Sequence, residues 1–375
     1  MTRKSEKYQM TNDSDSEDEE LIVHSFDDQT YLQVPESVRY GYCSLITDFD
    51  KLNRIGEGTY GIVYRARNKK TGEIVALKKV RMDGEKEGIS VVAFREVNIL
   101  LDLKHENIVE LKEVIVGRRL TTMYLLMEYC EQDMASLVDN MPKQFTEAQV
   151  KCIIIQLLKA LDYLHKRYII HRDLGDFGLT RRFSDLTKEM TPEVVTLWYR
   201  APELLLGCRS YTTAVDMWAA GCIFGELLLH KPLLPGRCEI HQIDLIVELL
   251  GTPNPQLWPN MDKLPLLTKF NLRQQPYNNL KHTFPQLSEC GISLMNLLLI
   301  YDPVKRGTAS DSLKSSYFLR NPLPCPKDMM PSFMEYRNID TKKVILSFQH
   351  QYIDYLLGNY PSSIAKSIEF RNQVS

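Results

Sequence analysis

Long apolar runs are missing from this chain, and so are paired cysteines and any strong excess of one charge. No apolar stretch approaches the ~18 residues that a membrane-spanning helix needs, and the N-terminus has no apolar core of the kind that a signal peptide carries. The eight cysteines, at 43, 130, 152, 208, 222, 238, 290 and 325, never form a Cys-x-x-Cys pair. This argues against a zinc site and reads as free thiols in a reducing compartment. Lys and Arg number 46 against 48 Asp and Glu, a formal net charge of −2, so no basic field points to nucleic acid or to an anionic membrane. These absences predict a protein of the nucleus and cytoplasm with no nucleic-acid or membrane partner. The hydrophobic share of 44% and charged share of 25% are those of an ordinary globular protein.

A further absence lies inside a motif. His171-Arg172-Asp173-Leu174-Gly175-Asp176-Phe177-Gly178 holds His-Arg-Asp and Asp-Phe-Gly almost end to end. In protein kinases the first Asp orients the substrate hydroxyl and the second holds magnesium on the ATP phosphates. There they stand roughly twenty residues apart, with an Asn for the second metal between them. Here only Leu174 and Gly175 intervene. The chain therefore resembles a protein kinase with part of its active site removed. That resemblance implies an α+β, two-lobed fold: a small antiparallel β lobe with one main helix, and a large, mainly helical lobe.

Residues 1–46 read as a disordered acidic extension, because the run Asp13 to Glu20 has too little apolar surface to order itself. The small lobe is expected over 47–130, the large lobe over 131–320 with an internal deletion at 174–176, and a C-terminal tail over 321–375. Near the start of the small lobe, Gly56-Glu57-Gly58-Thr59-Tyr60-Gly61 leads into what reads as a second strand, Val63 to Arg67. A hairpin with glycines at its tip lets backbone amides approach phosphate oxygens. Lys78 ends the strand-like run Ile74-Val75-Ala76-Leu77 and is the candidate for the α- and β-phosphates. Glu96 lies on a helical stripe with Val92, Val97, Leu100 and Leu101, from which it projects toward Lys78. Leu125 to Cys130 reads as a strand entering the link between lobes. Met127 would back the adenine pocket, Glu128 and Cys130 would meet the adenine edge with backbone groups, and Asp133 would lie near the ribose.

In the large lobe Thr146-Glu147-Ala148-Gln149 is a capping box. It opens a helix whose core positions are Val150, Ile153, Ile154, Leu157, Leu158, Leu161 and Leu164. An exposed segment from Leu179 ends at Ala201-Pro202-Glu203. Asp216-Met217-Trp218 opens a helix that is apolar on nearly all sides and should be buried. Further helical stretches are expected at 240–250 and 288–300, and an amphipathic one at 344–357.

Over about 49–320 the chain resembles the cyclin-dependent protein kinases. Residues 56–61, 194–203 and Gly251-Thr252-Pro253 carry that narrower match. The resemblance implies ATP and Mg2+ as cofactors, a cyclin docked on the helix around Phe94–Glu96, and protein substrates with Ser-Pro or Thr-Pro sites. ATP would meet Ile55, Gly56, Glu57, Gly58, Thr59, Tyr60, Gly61, Val63, Ala76, Lys78, Met127, Glu128, Cys130 and Asp133. Asp173, Lys78 and Glu96 would be the catalytic residues, and Asp176 the metal ligand. Thr191 would be the activating phosphosite, its phosphate received by Arg95, Arg172 and Arg181, since Arg forks suit phosphate oxygens. Thr59 and Tyr60 would be inhibitory phosphosites. Arg200 would occupy a carbonyl near Val195, so that a substrate amide there lacks an acceptor; proline has no amide hydrogen and fits. Glu203 would pair with Arg306. Ser90 stands where the family commonly has a proline, and Val91 to Phe94 is bulkier than the family pattern.

The gap removes the catalytic-loop Lys, the Asn for the second magnesium, and the strand that forms the apolar floor under adenine. Asp173 and Asp176 are three Cα steps apart, at most ~10–11 Å, and can still face one site. Losing even one preorganised group often costs ~10²–10³ in rate. The chain as written is therefore expected not to transfer phosphate. Two classes of protein fit: a proline-directed Ser/Thr kinase whose gap is a skipped exon or an incomplete gene model, or a kinase-fold protein that binds a cyclin or substrate without catalysis. A transcript read across codons 174–176 separates them.

Overall fold

The computed structural model describes residues 22–24, 31–33, 44–58, 61–80, 97–117, 122–131, 134, 138, 141, 143–172, 181–182 and 196–331. Ahead of the small lobe, β1 (Ile22–His24) pairs antiparallel with β2 (Tyr31–Gln33), with Val23 opposite Leu32. This short hairpin lies within the stretch read from sequence as an acidic extension, beyond its acidic run. Apolar and β-branched residues are available there, as Ile22, Val23, Tyr31 and Leu32.

The small lobe is one antiparallel sheet in the order β3-β4-β5-β7-β6. Its strands are β3 (Phe49–Gly58), β4 (Gly61–Asn68), β5 (Ile74–Val80), β6 (Leu111–Val116) and β7 (Met123–Glu128). The glycine motif forms the β3–β4 hairpin as its spacing predicts, with Gly58 opposite Gly61 at the closed end. Side chains alternate across the sheet, and the alternation splits the core in two. Leu77, Val75, Leu126, Tyr124 and Ile115 pack on one face with Phe49 and Ala66. Leu125, Val80, Leu111 and Met123 pack on the other with Leu100 and Val97 of the helical residues 97–101. Ahead of β3, the Ser44 N–H and hydroxyl both donate to the Glu113 carboxylate, at 2.6 and 3.0 Å.

The large lobe grows from α1 (Glu147–His165). Its capping box forms as read: Gln149 N–H donates to Thr146 Oγ1, and Thr146 N–H donates to Gln149 Oε1. Val150, Ile154, Leu158, Leu161 and Leu164 are buried, while Ile153 and Leu157 are partly buried against the same core. Across from α1 lies α2 (Ala214–Leu229), buried at 12 of its 16 residues as its all-round apolarity requires. It starts two residues earlier than Asp216. Gly221 lets it come close to its neighbour, since a Cβ there would lie 2.8 Å from Leu299 Cδ2. Helices α3 (Glu239–Leu250), α4 (Glu289–Leu298) and α5 (Ala309–Leu313) belong to the same lobe, with short helical turns at Pro202–Leu205 and Leu280–Thr283.

One buried residue has no apolar rationale. Lys151 on α1 is wholly enclosed, and its ammonium donates to the carbonyls of Arg320 and Pro322 at 2.9 and 2.8 Å. Tyr317 offers its ring face at 4.3 Å. The chain then runs back along α1, where Cys325 N–H donates to the Ala148 carbonyl and Lys327 pairs with Glu106 at 2.8 Å. The residues expected to form a helix at 344–357 lie outside those described. Among the described residues no helix is long and apolar enough to cross a membrane.

Candidate active site

The sheet face that carries Leu125 also carries four of the predicted nucleotide residues. Val63 is in register with Lys78, Lys78 with Leu125, and Ala76 with Met127, so all of these share one face. Gly56 pairs with Val63, and a Cβ at Gly56 would come within 3.8 Å of Val63 Cβ. A half-buried lysine thus stands among small and apolar side chains, beside the face on which Val97 and Leu100 pack. This set fits a purine on an apolar surface with phosphates drawn toward Lys78. Further along, the Glu128 N–H is donated to the Glu110 carbonyl at 3.0 Å, so what Glu128 can offer a ligand edge is its carbonyl.

Helix α1 delivers the chain to β8 (Ile169–Ile170) and then to His171 and Arg172. Here one carboxylate organises the backbone. Asp216, 1% exposed at the start of α2, accepts the N–H of His171 on Oδ2 and the N–H of Arg172 on Oδ1, each at 2.9 Å. His165 Nε2 lies 2.9 Å from the same Oδ2. Burial raises the Asp216 pKa, but the hydrogen bond and charge of His165, with His171 and the Arg172 N–H, more than offset this, and the carboxyl is held below its ordinary range. The anchoring matters because Arg172 has φ +66°, left-handed backbone that a residue with a Cβ adopts at a cost. Two buried N–H groups on one carboxylate hold it there. The Arg172 side chain is also buried, and its Nη1 donates to the Tyr211 hydroxyl at 3.0 Å.

After Arg172 the chain returns at β9 (Arg181–Arg182), which pairs antiparallel with β8, Ile170 opposite Arg181. Residues 171–180 therefore join two paired strands. Asp173 and Asp176 fall within that join but outside the described residues, as do Glu96, Asp133, Thr59, Tyr60, Arg95, Thr191 and Val195. Arg181 is placed by its backbone on β9. No group of three or more metal-ligating side chains occurs among the described residues.

Residues 196–200 are held by α3 and the turn before it. Arg200 Nη1 donates to Glu239 Oε1 at 2.8 Å, Trp198 Nε1 to the Gly236 carbonyl at 3.0 Å, and Gln242 Nε2 to the Trp198 carbonyl at 3.3 Å. Residues 196–200 are thus fastened to the start of α3. Beyond them, Glu203 receives Arg306 in a two-pronged pair, Nη1 to Oε1 at 2.7 Å and Nη2 to Oε2 at 2.9 Å, as the sequence resemblance implies. Sequence reasoning missed the roles of Asp216, Tyr211, His165 and Glu239. A signal existed only for Asp216, the one carboxylate near the start of a helix apolar on all sides.

Comparison with known proteins agrees with this arrangement. The family model for the protein kinase domain matches residues 49–318. The chain is 57% identical to cyclin-dependent kinase 10 of Bos taurus over 337 residues, covering 86% of this chain and 93% of that protein. It is 57% identical to cyclin-dependent kinase 10 of Homo sapiens over 339 residues, covering 86% and 94%. It is 49% identical to probable cyclin-dependent kinase 10 of Dictyostelium discoideum over 305 residues, covering 77% and 83%. Protein kinases use ATP with magnesium, and the names of these relatives imply cyclin partners and protein substrates. With a five-stranded antiparallel sheet, a helical large lobe and relatives of this similarity, the chain belongs to the cyclin-dependent kinases, a family of serine/threonine protein kinases.

Proposed function

We propose that this chain is built as a cyclin-dependent kinase for Ser-Pro and Thr-Pro sites, and that as written it does not transfer phosphate. The observation that carries this is the join between β8 and β9. Those strands pair directly, with Ile170 opposite Arg181, and Asp216 holds His171 and Arg172 at its entrance. A frame for a catalytic loop therefore surrounds a stretch with room for only Leu174 and Gly175 between the two aspartates. When ATP and magnesium are bound they supply the phosphoryl group and its charge neutralisation. Lys78 would draw the phosphates, Val63, Ala76 and Met127 would cover the purine, and Asp173 would orient the substrate hydroxyl. Arg200, which Glu239 holds at the end of 196–200, would occupy the carbonyl near Val195 and so favour proline in the substrate. The cyclin would dock around Phe94–Glu96, just ahead of the helical residues 97–101, with Phe94 in the contact.

Two measurements test this on the chain as written and on a form with a family-like loop and hairpin restored between Leu174 and Asp176. They are a thermal shift with magnesium-ATP and radiolabel transfer to a Ser-Pro peptide with the cyclin present. Transfer should stay at background in the first form and appear in the second. Robust transfer by the chain as written, abolished by Asp173→Ala, would refute the proposal. Phe94→Glu should remove cyclin co-purification without unfolding, and an unchanged pull-down would sink the docking assignment.

A further inference from the structure

We propose that Cys152 and Cys325 form a redox pair, which a peroxide converts to a disulfide that staples the returning chain to α1. Phosphoryl transfer uses neither thiol. The geometry starts from one carbonyl. Cys325 N–H donates to the Ala148 carbonyl at 2.9 Å, and Cys152 stands one helical turn after Ala148 on α1. In an α-helix the N–H of Cys152 turns to that same carbonyl. Two N–H groups on one oxygen leave their Cα atoms at most ~7–8 Å apart, and closer when they meet it at an angle. A disulfide spans Cα atoms ~4.4–6.8 Å apart. Burial raises the Cys152 pKa most and the charge of Cys325 raises it further, whereas the Gln156 hydrogen bond and the Lys327 ammonium lower it, so the two sulfurs are electrostatic neighbours.

Both partners are held in place. Cys152 is 5% exposed, and its Sγ accepts Gln156 Nε2 at 3.4 Å. The segment that carries Cys325 is fixed on either side, by Lys151 at the carbonyls of Arg320 and Pro322 and by the pair of Lys327 with Glu106. A buried cysteine alone is an ordinary small apolar residue. A second, partly exposed cysteine fastened over it is not something that packing requires. Cys325, the accessible thiol, reacts first as its thiolate. Its sulfur bonds one oxygen of a hydroperoxide, the O–O bond breaks, and the other oxygen leaves as an alcohol or water with the thiol proton. Cys152 sulfur then attacks the sulfenic acid. The S–S bond forms, the S–O bond breaks, and hydroxide departs as water with the Cys152 proton. The two thiols lose two electrons and the peroxide gains them. A thiol reductant reverses the bond, as suits a compartment where disulfides are transient.

The test uses the full chain, reduced and then treated with hydrogen peroxide, as wild type, Cys325→Ser and Cys152→Ala. Peptide mapping by mass spectrometry without reductant should find the Cys152–Cys325 cross-link in the wild type, and dithiothreitol should remove it. Cys152→Ala should leave Cys325 as a sulfenic acid that dimedone traps. Cys325→Ser, a change at a partly exposed site, should leave Cys152 a thiol. Hydrogen exchange at residues 323–327 should slow on oxidation and recover on reduction. An unreacted wild type overturns the proposal, as does one in which Cys325 runs on to sulfinic acid with no cross-link. Links from either residue to other cysteines at equal yield also overturn it. So does a chain in urea that forms the same link as readily, since the fold would then contribute nothing. Unchanged exchange at 323–327 in the cross-linked chain would sink the claim that the bond staples this segment.

Discussion

The two lobes keep themselves folded in different ways. The large lobe has one continuous core that reaches from Val138 to Phe318, and the charges buried in it are engaged by partners: Glu203 by Arg306, Asp216 by three groups, Lys151 by two carbonyls. The small lobe has two clusters, one on each face of a single sheet, while Ile99, Leu103 and Ile108 join Ala160, Leu164 and Ile169 in another that ties it to the large lobe; its polar contacts lie nearer the surface. A sheet with divided cores is held mainly by its strand pairing and can open locally, whereas a single core with buried ion pairs tends to fail as a unit. The entrance to the catalytic loop belongs to the large lobe, since His171 and Arg172 hang from Asp216 and Tyr211. The shortened stretch therefore starts where that frame ends.

The largest test of this contrast is Arg306→Met. It keeps bulk but leaves the Glu203 carboxylate buried without its partner, which should cost about 3–5 kcal/mol. Urea denaturation should show this loss over the whole large lobe. A change confined to residues near 203 would break the claim that this lobe unfolds as one. Leu77→Ala comes next. Leu77 is fully buried on one face of the sheet, and the truncation should cost about 2–4 kcal/mol. Hydrogen exchange should accelerate in β3 to β7 while α1 and α2 stay protected; equal acceleration in both lobes would erase the distinction.

Asp216→Asn should cost about 1–3 kcal/mol at neutral pH, because the amide cannot accept as the carboxylate does. The effect has a pH signature with a definite sign. The native Asp216 pKa lies below its ordinary value, so its stabilisation is present above the unfolded value of ~3.9 and is lost as pH falls through the native value. The gap between wild type and Asp216→Asn should therefore close at pH below ~4. A gap that is unchanged in acid would show that the charge of Asp216 is not what stabilises the entrance. Thr146→Ala is the smallest change: loss of the α1 cap should lower stability by about 1 kcal/mol with no effect on the small lobe. A loss near zero would mean that burial of α1 alone fixes its start.

How much was legible follows from distance along the chain. The capping box of α1, its core stripe, the glycine hairpin and the buried character of α2 all depend on residues a few positions apart. Periodicity carries such information, and the structure agrees at Thr146, Gln149, Gly58 and Gly61. Lys151 was the exception on α1, because a lysine within a helical stripe reads as a solvated side chain. Only the return of residues 320–322 encloses it. The Arg200–Glu239 pair was missed for a related reason, since both are ordinary surface charges until α3 lies against residues 196–200.

The sequence by itself determined the two-lobed kinase architecture, the strand that carries Lys78, the helices at α1 to α4 and the absence of all but two residues between Asp173 and Asp176. Each of these rests on local spacing or on short motifs with a fixed chemistry. The tertiary structure decided which groups hold the entrance to the catalytic loop. His165 meets Asp216 across 51 positions, Arg172 meets Tyr211 across 39, and Lys151 meets Arg320 across 169. No local pattern encodes such pairs. A buried polar group takes whichever partner the packed helices bring within hydrogen-bond reach, and that choice exists only once the core has closed.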